Sequence, residues 1–360
     1  MRMARAGALL ATALLLAACS TGTASPAATA APAVTEAPAG SAESVAPSES
    51  TVAGPGAPEK TTLKVVQGSD PDFTQVGLTK AFEYLKEKGV TVEFSSVADT
   101  DTATRSVIAG QQDIVVNSLY FGINANQQGI PLRTFMADIT AVDYLLMSIP
   151  TVTDVKQLEG GTVGINKPGD LGATVADQCL KFSNIDVSKV EYVQVGGTSA
   201  RMAALLAGQI DSAPAHAAEA LNAQKEGGLN ILVDCGEAIG TFLQTGASST
   251  QEWLDANPNL AQLFTDAYID ALRWSHTNKD EYIALSKTVV PDLDDQIRSD
   301  TYDLLVKQGV FGVDGGLNPD SIKKLVDIGL DSKSIEEPVP TDWYTMTNVD
   351  SYLARNGAFK

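Results

Sequence analysis

Between residues 63 and 233 the apolar residues switch repeatedly from strand-like runs to helical spacing, and this alternation restricts the architecture more than any other feature. Leu63-Lys-Val-Val-Gln67 is a short apolar run of strand type. Gln75–Lys88 follows, with Leu78, Ala81, Phe82 and Leu85 on one helical face. Val90–Ser96 alternates as a strand. A helix capped by Asp99 or Thr100 is expected to about Ala109, then a strand over Asp113–Asn117, a helix over Tyr120–Gln128 and a strand over Pro131–Asp138. The order then restarts. Strands are expected over Leu158–Ile165, Val190–Val195, Ile210–Ala213 and Leu229–Val233. Helices are expected from the Pro168-Gly-Asp170 turn to about Phe182, over Ala200–Ala207 and over Ala217–Gln224. Strand–helix–strand order implies α/β architecture, with parallel sheets flanked by helices on both faces. Ala109-Gly-Gln-Gln-Asp113 and Ala207-Gly-Gln-Ile-Asp211 share four of five residues, each at a helix-to-strand turn. That correspondence points to two similar lobes.

Past Gly240, Thr241–Thr245 reads as a strand crossing back, and helices dominate afterwards. Leu260, Leu263, Phe264, Ala267, Ala271 and Trp274 keep helical spacing, as do Ile322, Leu325, Val326 and Leu330. Asn257-Pro258 and Asn318-Pro319 put proline in a first helical turn.

The N-terminus is of another kind. Arg2 and Arg5 precede the apolar run Ala6–Leu16, and Ala17-Ala18-Cys19 follows. This is the layout of a secretory signal, too short to cross a membrane. Small residues before Cys19 resemble the bacterial lipobox, which implies removal of 1–18 and acylation of the Cys19 thiol. Residues 20–60 are rich in Ala, Ser, Thr, Gly and Pro; the first aromatic residue in the chain is Phe73. Such a segment has too little apolar bulk to offset ordering, so 19–60 is expected to be a lipidated, disordered tether.

The formal charge is −19. That excludes a general nucleic-acid binder, which needs a basic stripe to displace counterions from phosphate. Two histidines and three cysteines leave little material for a metal cluster. Neither a Gly-x-Ser-x-Gly elbow nor a His-Glu-x-x-His helix occurs. No enzyme activity, cofactor or metal is expected. A carboxylate-pair enzyme or a protein-binding surface module on the same scaffold is the competing class.

In order and spacing, Leu63–Gln67, Ala109–Asp113, Val155-Lys-Gln-Leu-Glu-Gly160 before Val163-Gly164, Ala207–Asp211 and Val339-Pro-Thr-Asp-Trp343-Tyr344 resemble one family. It is the NMT1/THI5-like group of ABC-importer solute-binding proteins, which includes taurine, alkanesulfonate, nitrate and thiamine-precursor binding proteins. The resemblance implies a type II periplasmic-binding-protein fold. Its lobes would be 61–140 with 245–360 and its helical C-terminal region, and 141–244, joined by two crossing hinge strands. It further implies a monomeric receptor on the outer face of the bacterial cell membrane, held by lipid at Cys19. Its partners would be a small-molecule solute and a membrane permease with a cytoplasmic ATPase. Ser212-Ala-Pro-Ala-His216 departs from the group, because many members carry an aromatic residue there.

In open α/β sheets, ligands bind beyond the carboxyl ends of the strands, where helix N-termini offer free N–H groups. Those loops nominate Ser69, Asp70, Asp72, Asn117, Ser118 and Tyr120, then Thr140 and Asp143 at the crossover. They also nominate Asn166, Gly169, Asp170, Gly197, Thr198, Ser199 and His216. Gly196–Ser199 suits a small anion such as an alkanesulfonate, or is a plain Gly-rich turn with Thr198 as the helix cap. Asp70, Asp72 and Tyr120 suit a planar nitrogenous compound such as a pyrimidine. The anion is the first expectation, although Lys167 is the one cation in these loops. His216 is either a ligand contact or a structural group. Cys179 and Cys235 are expected to pair in the exported location.

Overall fold

A computed structural model describes residues 53–97 and 99–360. The expected signal segment 1–18, the lipidation site Cys19 and most of the tether lie outside these residues.

The first part of the body runs β1 (Thr62–Gln67), α1 (Val76–Glu87), β2 (Thr91–Ser96), α2 (Thr100–Ile108), β3 (Ile114–Ser118), α3 (Leu119–Gln127) and β4 (Leu132–Ala141). The chain then enters β5 (Tyr144–Ser148), a strand the hydrophobic pattern does not announce, because all five residues are buried and nothing breaks the run from β4. β6 (Thr162–Ile165), α4 (Leu171–Phe182), β7 (Glu191–Gln194), α5 (Thr198–Leu206), β8 (Ser212–His216), α6 (Ala217–Gly227) and β9 (Asn230–Asp234) follow. A five-residue helix, α7 (Cys235–Ile239), leads into β10 (Thr241–Thr250). The remainder is helical: α8 (Gln251–Ala256), α9 (Pro258–Thr277), α10 (Lys279–Val289), α11 (Asp295–Gln308), α12 (Pro319–Asp331) and α13 (Thr347–Asn356).

Two five-stranded sheets result, ordered β2-β1-β3-β10-β4 and β7-β6-β8-β5-β9. β1 lies parallel to β2 and β3, and β6 lies parallel to β7 and β8. The expectation of parallel sheets fails at one strand in each. β10 runs antiparallel between β3 and β4, and β5 runs antiparallel between β8 and β9. The reason is the route. A crossover helix returns the chain to the same end of a sheet, whereas β5 and β10 each arrive directly from the other sheet. The two connections are Val142-Asp143 and the segment from Cys235 to Gly240, where Gly240 takes a φ of 72° that favours glycine.

Packing follows the apolar faces. Leu63 and Val65 of β1, Leu85 of α1, Ile114 of β3 and Phe264 of α9 are fully buried in one core. Val163, Ala176 and Cys179 are fully buried in another. The C-terminal helices divide between the sheets. α9 packs on α1, whereas α11 packs on α6 and α12 on α4. Lys225 pairs with Asp294 at 2.8 Å, and Gln178 donates to Asp331 at 2.7 Å. Cys179 of α4 and Cys235 of α7 form a disulfide, with Cα atoms 5.1 Å apart.

The tether expectation needs correction at its end. Glu59 accepts from the backbone N–H groups of Asn259 and Leu260, both at 3.0 Å, and Lys60 pairs with Asp113 at 2.5 Å. A carboxylate at the start of α9 meets unpaired N–H groups and the positive end of the helix dipole. Residues 56–60 are therefore part of the body.

Candidate functional site

The strand ends and helix starts face a cavity of about 600 Å³. The turn after β1 supplies Ser69, Asp70 and Asp72, shaped by Gln67, whose Nε2 donates to Ser69 Oγ at 2.9 Å. Asn117 and Ser118 end β3, and Asn117 Nδ2 is held by Thr104 Oγ1 at 2.9 Å. Asn166 and Asp170 follow β6, while Gly197, Thr198 and Ser199 follow β7. His216 ends β8.

Four nominated residues stand elsewhere. Tyr120 is 2% exposed, packs edge-on against Phe242 and donates to Leu325 O at 3.3 Å. The turn from β3 into α3 sends its ring into the core. Thr140 donates to Gly309 O at 3.1 Å, away from the cavity. Gly169 borders a smaller recess beside Lys333 and Ser334. Asp143 does not line the cavity but sits behind its wall. Thr198 is also not the cap of α5; Gly197 holds that position.

Three of the helix starts around the cavity are already capped by carboxylates. Asp72 accepts from Thr74 N at 2.7 Å, Asp99 from Thr102 N at 2.9 Å and Asp170 from Ala173 N at 2.8 Å. α3, α5 and α6, with Ser118, Gly197 and His216 at their caps, start without a side-chain cap. The positive ends of α2 and α4, and the short 3-10 turn Phe73–Gln75 before α1, are thus used by the protein's own acids.

The sequence reading missed Arg201, Glu219, Gln244 and Phe121, all of which line the cavity. Arg201, one turn into α5 and 2% exposed, overturns the view that Lys167 is the one cation here. Its donors are largely committed. Nε donates to Pro214 O at 3.0 Å, Nη1 to Gly196 O at 2.8 Å and Nη2 to Thr198 Oγ1 at 3.0 Å. Lys167 pairs with Asp101 at 3.2 Å. A helical reading of 198–206 would have placed Arg201 under the Gly196–Thr198 turn. Glu219 and Gln244 carry no such local signal, because only the meeting of α6 and β10 brings them here.

Asp143 is 1% exposed and organises one wall. Its Oδ2 meets His216 Nδ1 at 2.7 Å, and its Oδ1 accepts from Gln244 Nε2 at 2.9 Å. The Tyr144 and His216 rings lie 4.2 Å apart. Burial disfavours a charged imidazole, but the Asp143 charge and hydrogen bond outweigh it, with help from Asp72 and Glu219, so His216 is pushed up to about 10. Burial raises Asp143 in turn, yet its His216 and Gln244 contacts hold it below the ordinary carboxylate value. At Asp72, Asp170 and Glu219, burial dominates and pushes the carboxyl groups up. Glu219 Oε2 and Gln244 Oε1 are buried with no hydrogen-bond partner among the described residues.

A family model described as NMT1/THI5 like matches residues 70–282. The chain belongs to the NMT1/THI5-like family. No curated protein matches it in sequence. Among solved structures, the fold is similar to that of the alkanesulfonate-binding protein SsuA from Xanthomonas axonopodis pv. citri bound to MOPS. It is 14% identical with a TM-score of 0.65, covering 80% of this chain and 99% of that one. The periplasmic nitrate-binding protein NrtA from Synechocystis PCC 6803 is 14% identical with a TM-score of 0.57, over 83% and 99% of the two chains. A ligand-binding component of an ABC-type import system from Staphylococcus aureus, with zinc bound, is 12% identical with a TM-score of 0.68, over 81% and 98%. At these identities the likeness is one of fold, the periplasmic-binding-protein fold. Among the described residues no group of three or more His, Cys, Asp or Glu is placed to hold a metal ion, and no helix is long and apolar enough to cross a membrane.

Proposed function

We propose that this protein is an extracytoplasmic receptor that captures a small nitrogenous solute between its two sheets and delivers it to the permease of an ABC importer. Family membership supports the receptor role and the permease partner, and the Leu16–Cys19 sequence supports anchoring through lipid on Cys19. The observation that carries the ligand class is the balance of hydrogen-bonding groups. Asp72, Asp170 and Glu219 face one cavity, while the basic groups His216, Arg201 and Lys167 already have protein partners. A ligand that donates N–H groups satisfies the free oxygens of these acids, whereas an anion finds the side-chain donors of Arg201 and Lys167 largely committed. This reverses the order suggested by sequence, where the planar nitrogen compound stood second.

A second reading has one observation in its favour. The uncapped start of α5 lies above Arg201 and offers N–H groups to a sulfonate or carboxylate. A thermal-shift series on the full chain separates the two, using alkylamines, nitrogen heterocycles, alkanesulfonates and nitrate. A ligand at 100 times its Kd stabilises the fold by about 2.7 kcal/mol. Dose-dependent shifts with nitrogen compounds are the expected result. Shifts confined to sulfonates or nitrate would overturn the ligand class.

A further inference from the structure

Gln244 is 2% exposed, lines the cavity and leaves one amide atom unpaired. The orientation of that amide is fixed by chemistry. Asp143 only accepts hydrogen bonds, so the atom facing Asp143 Oδ1 at 2.9 Å is the NH2 group. Gln244 Oε1 is left as a buried acceptor without a donor, which is costly unless something else supplies one. The other oxygen of Asp143 holds His216 Nδ1 at 2.7 Å. The Asp143 charge and hydrogen bond favour the protonated ring, whose Nε2–H then adds a donor to the Nδ1–H held by Asp143. One buried carboxylate thus holds both the Gln244 amide and the His216 ring, and both residues line the cavity. The Tyr144 ring supports His216 from one side, and Glu219 Oε2 adds a second unpaired acceptor.

We propose that Gln244 and His216, held together by Asp143, form a recognition edge for a ligand bearing an N–H group beside a hydrogen-bond acceptor, that is, a cyclic amide or an amino-substituted nitrogen heterocycle. The inference rests on the nitrogenous-solute reading and narrows it. A simple amine supplies donors but no adjacent acceptor, so it satisfies Glu219 or Asp72 without matching this edge.

The test uses probe pairs on the full chain, with dissociation constants from ligand-observed NMR titration. The pairs are 2-pyridone with N-methyl-2-pyridone and 2-aminopyridine with 2-(dimethylamino)pyridine; benzylamine and ethanesulfonate serve as references. Methylation removes the donor and leaves the ring. The unmethylated member of each pair is expected to bind at least tenfold tighter, since a site built around a hydrogen bond rejects an analogue that lacks it. Gln244→Met is expected to reduce that ratio below threefold, with circular dichroism and thermal melting showing that the variant is folded. The pair comparison on the unmodified chain stands without any variant. If methylation changes nothing and benzylamine binds as well as 2-aminopyridine, the edge is overturned and the nitrogenous-solute reading survives. If ethanesulfonate alone binds, both fail.

Discussion

Asp143 gives the region between the two sheets its chemical character. It is buried, it lies on the short connection between β4 and β5, and both of its oxygens are used. Its partner His216 has a pKa lifted from the ordinary 6.5 to about 10. A group with a raised folded-state value stabilises the fold fully below its unfolded value and loses that contribution as pH climbs through the raised one. The melting temperature should therefore fall between pH 7 and pH 10, and His216→Gln should flatten that decline. Calorimetry of both proteins across this range checks it; parallel curves would mean that His216 does not carry the dependence. At this scale the sequence was informative where a side chain acts through its own loop. Asp72 and Asp170 stand at capped helix starts beside the cavity, as their positions after strands implied. It was uninformative where the role depends on distant packing. Gln244 reads as an ordinary polar residue in a strand until Asp143 is placed against it.

Secondary-structure elements were legible wherever their periodicity was long or their ends carried turn chemistry. α1, α2, α4 and α9 follow their apolar spacing, and proline opens α9 and α12. β5 escaped notice because a strand buried on both faces has no alternation to read. α7 escaped because five residues make little more than one helical turn. Yet α7 holds Cys235, whose bond to Cys179 ties the connection between β9 and β10 to α4. The bond closes a separation of 56 residues, which in the chain-entropy account is worth about 4 kcal/mol. Cys235→Ser should lower unfolding stability by that order in guanidinium titration without reductant. An unchanged midpoint would mean the two cysteines are not bonded in solution.

For the whole molecule, the decisive feature is that the first sheet takes one strand, β10, from beyond the whole of the second, whose strands β5 to β9 are consecutive in the chain. β10 separates β3 from β4, and β5 separates β8 from β9. The first sheet is incomplete until the chain has passed through the second, so the two should unfold as one unit. Gly246 in β10 lies so close to Met136 O that a Cβ would collide with backbone. Gly246→Ala should cost about 2–3 kcal/mol, and hydrogen exchange should show β3 and β6 amides losing protection together. Loss of protection confined to the first sheet would show that the sheets are independent. The strand crossing back at Thr241–Thr245 was legible, but its place between β3 and β4 was not, because a sequence displays elements in chain order and not which neighbours receive them.

The same borrowing has a cost in time. A growing chain makes β3 early, but the strand that covers its open side is roughly 120 residues further on, on the order of ten seconds at about 5–20 residues per second. Until β10 emerges, β3 offers its unpaired N–H and C=O groups, with five buried-type residues around them, to any other extended segment nearby. The nascent form of this protein is therefore a substrate for holding factors, whose task is to keep that position vacant for β10.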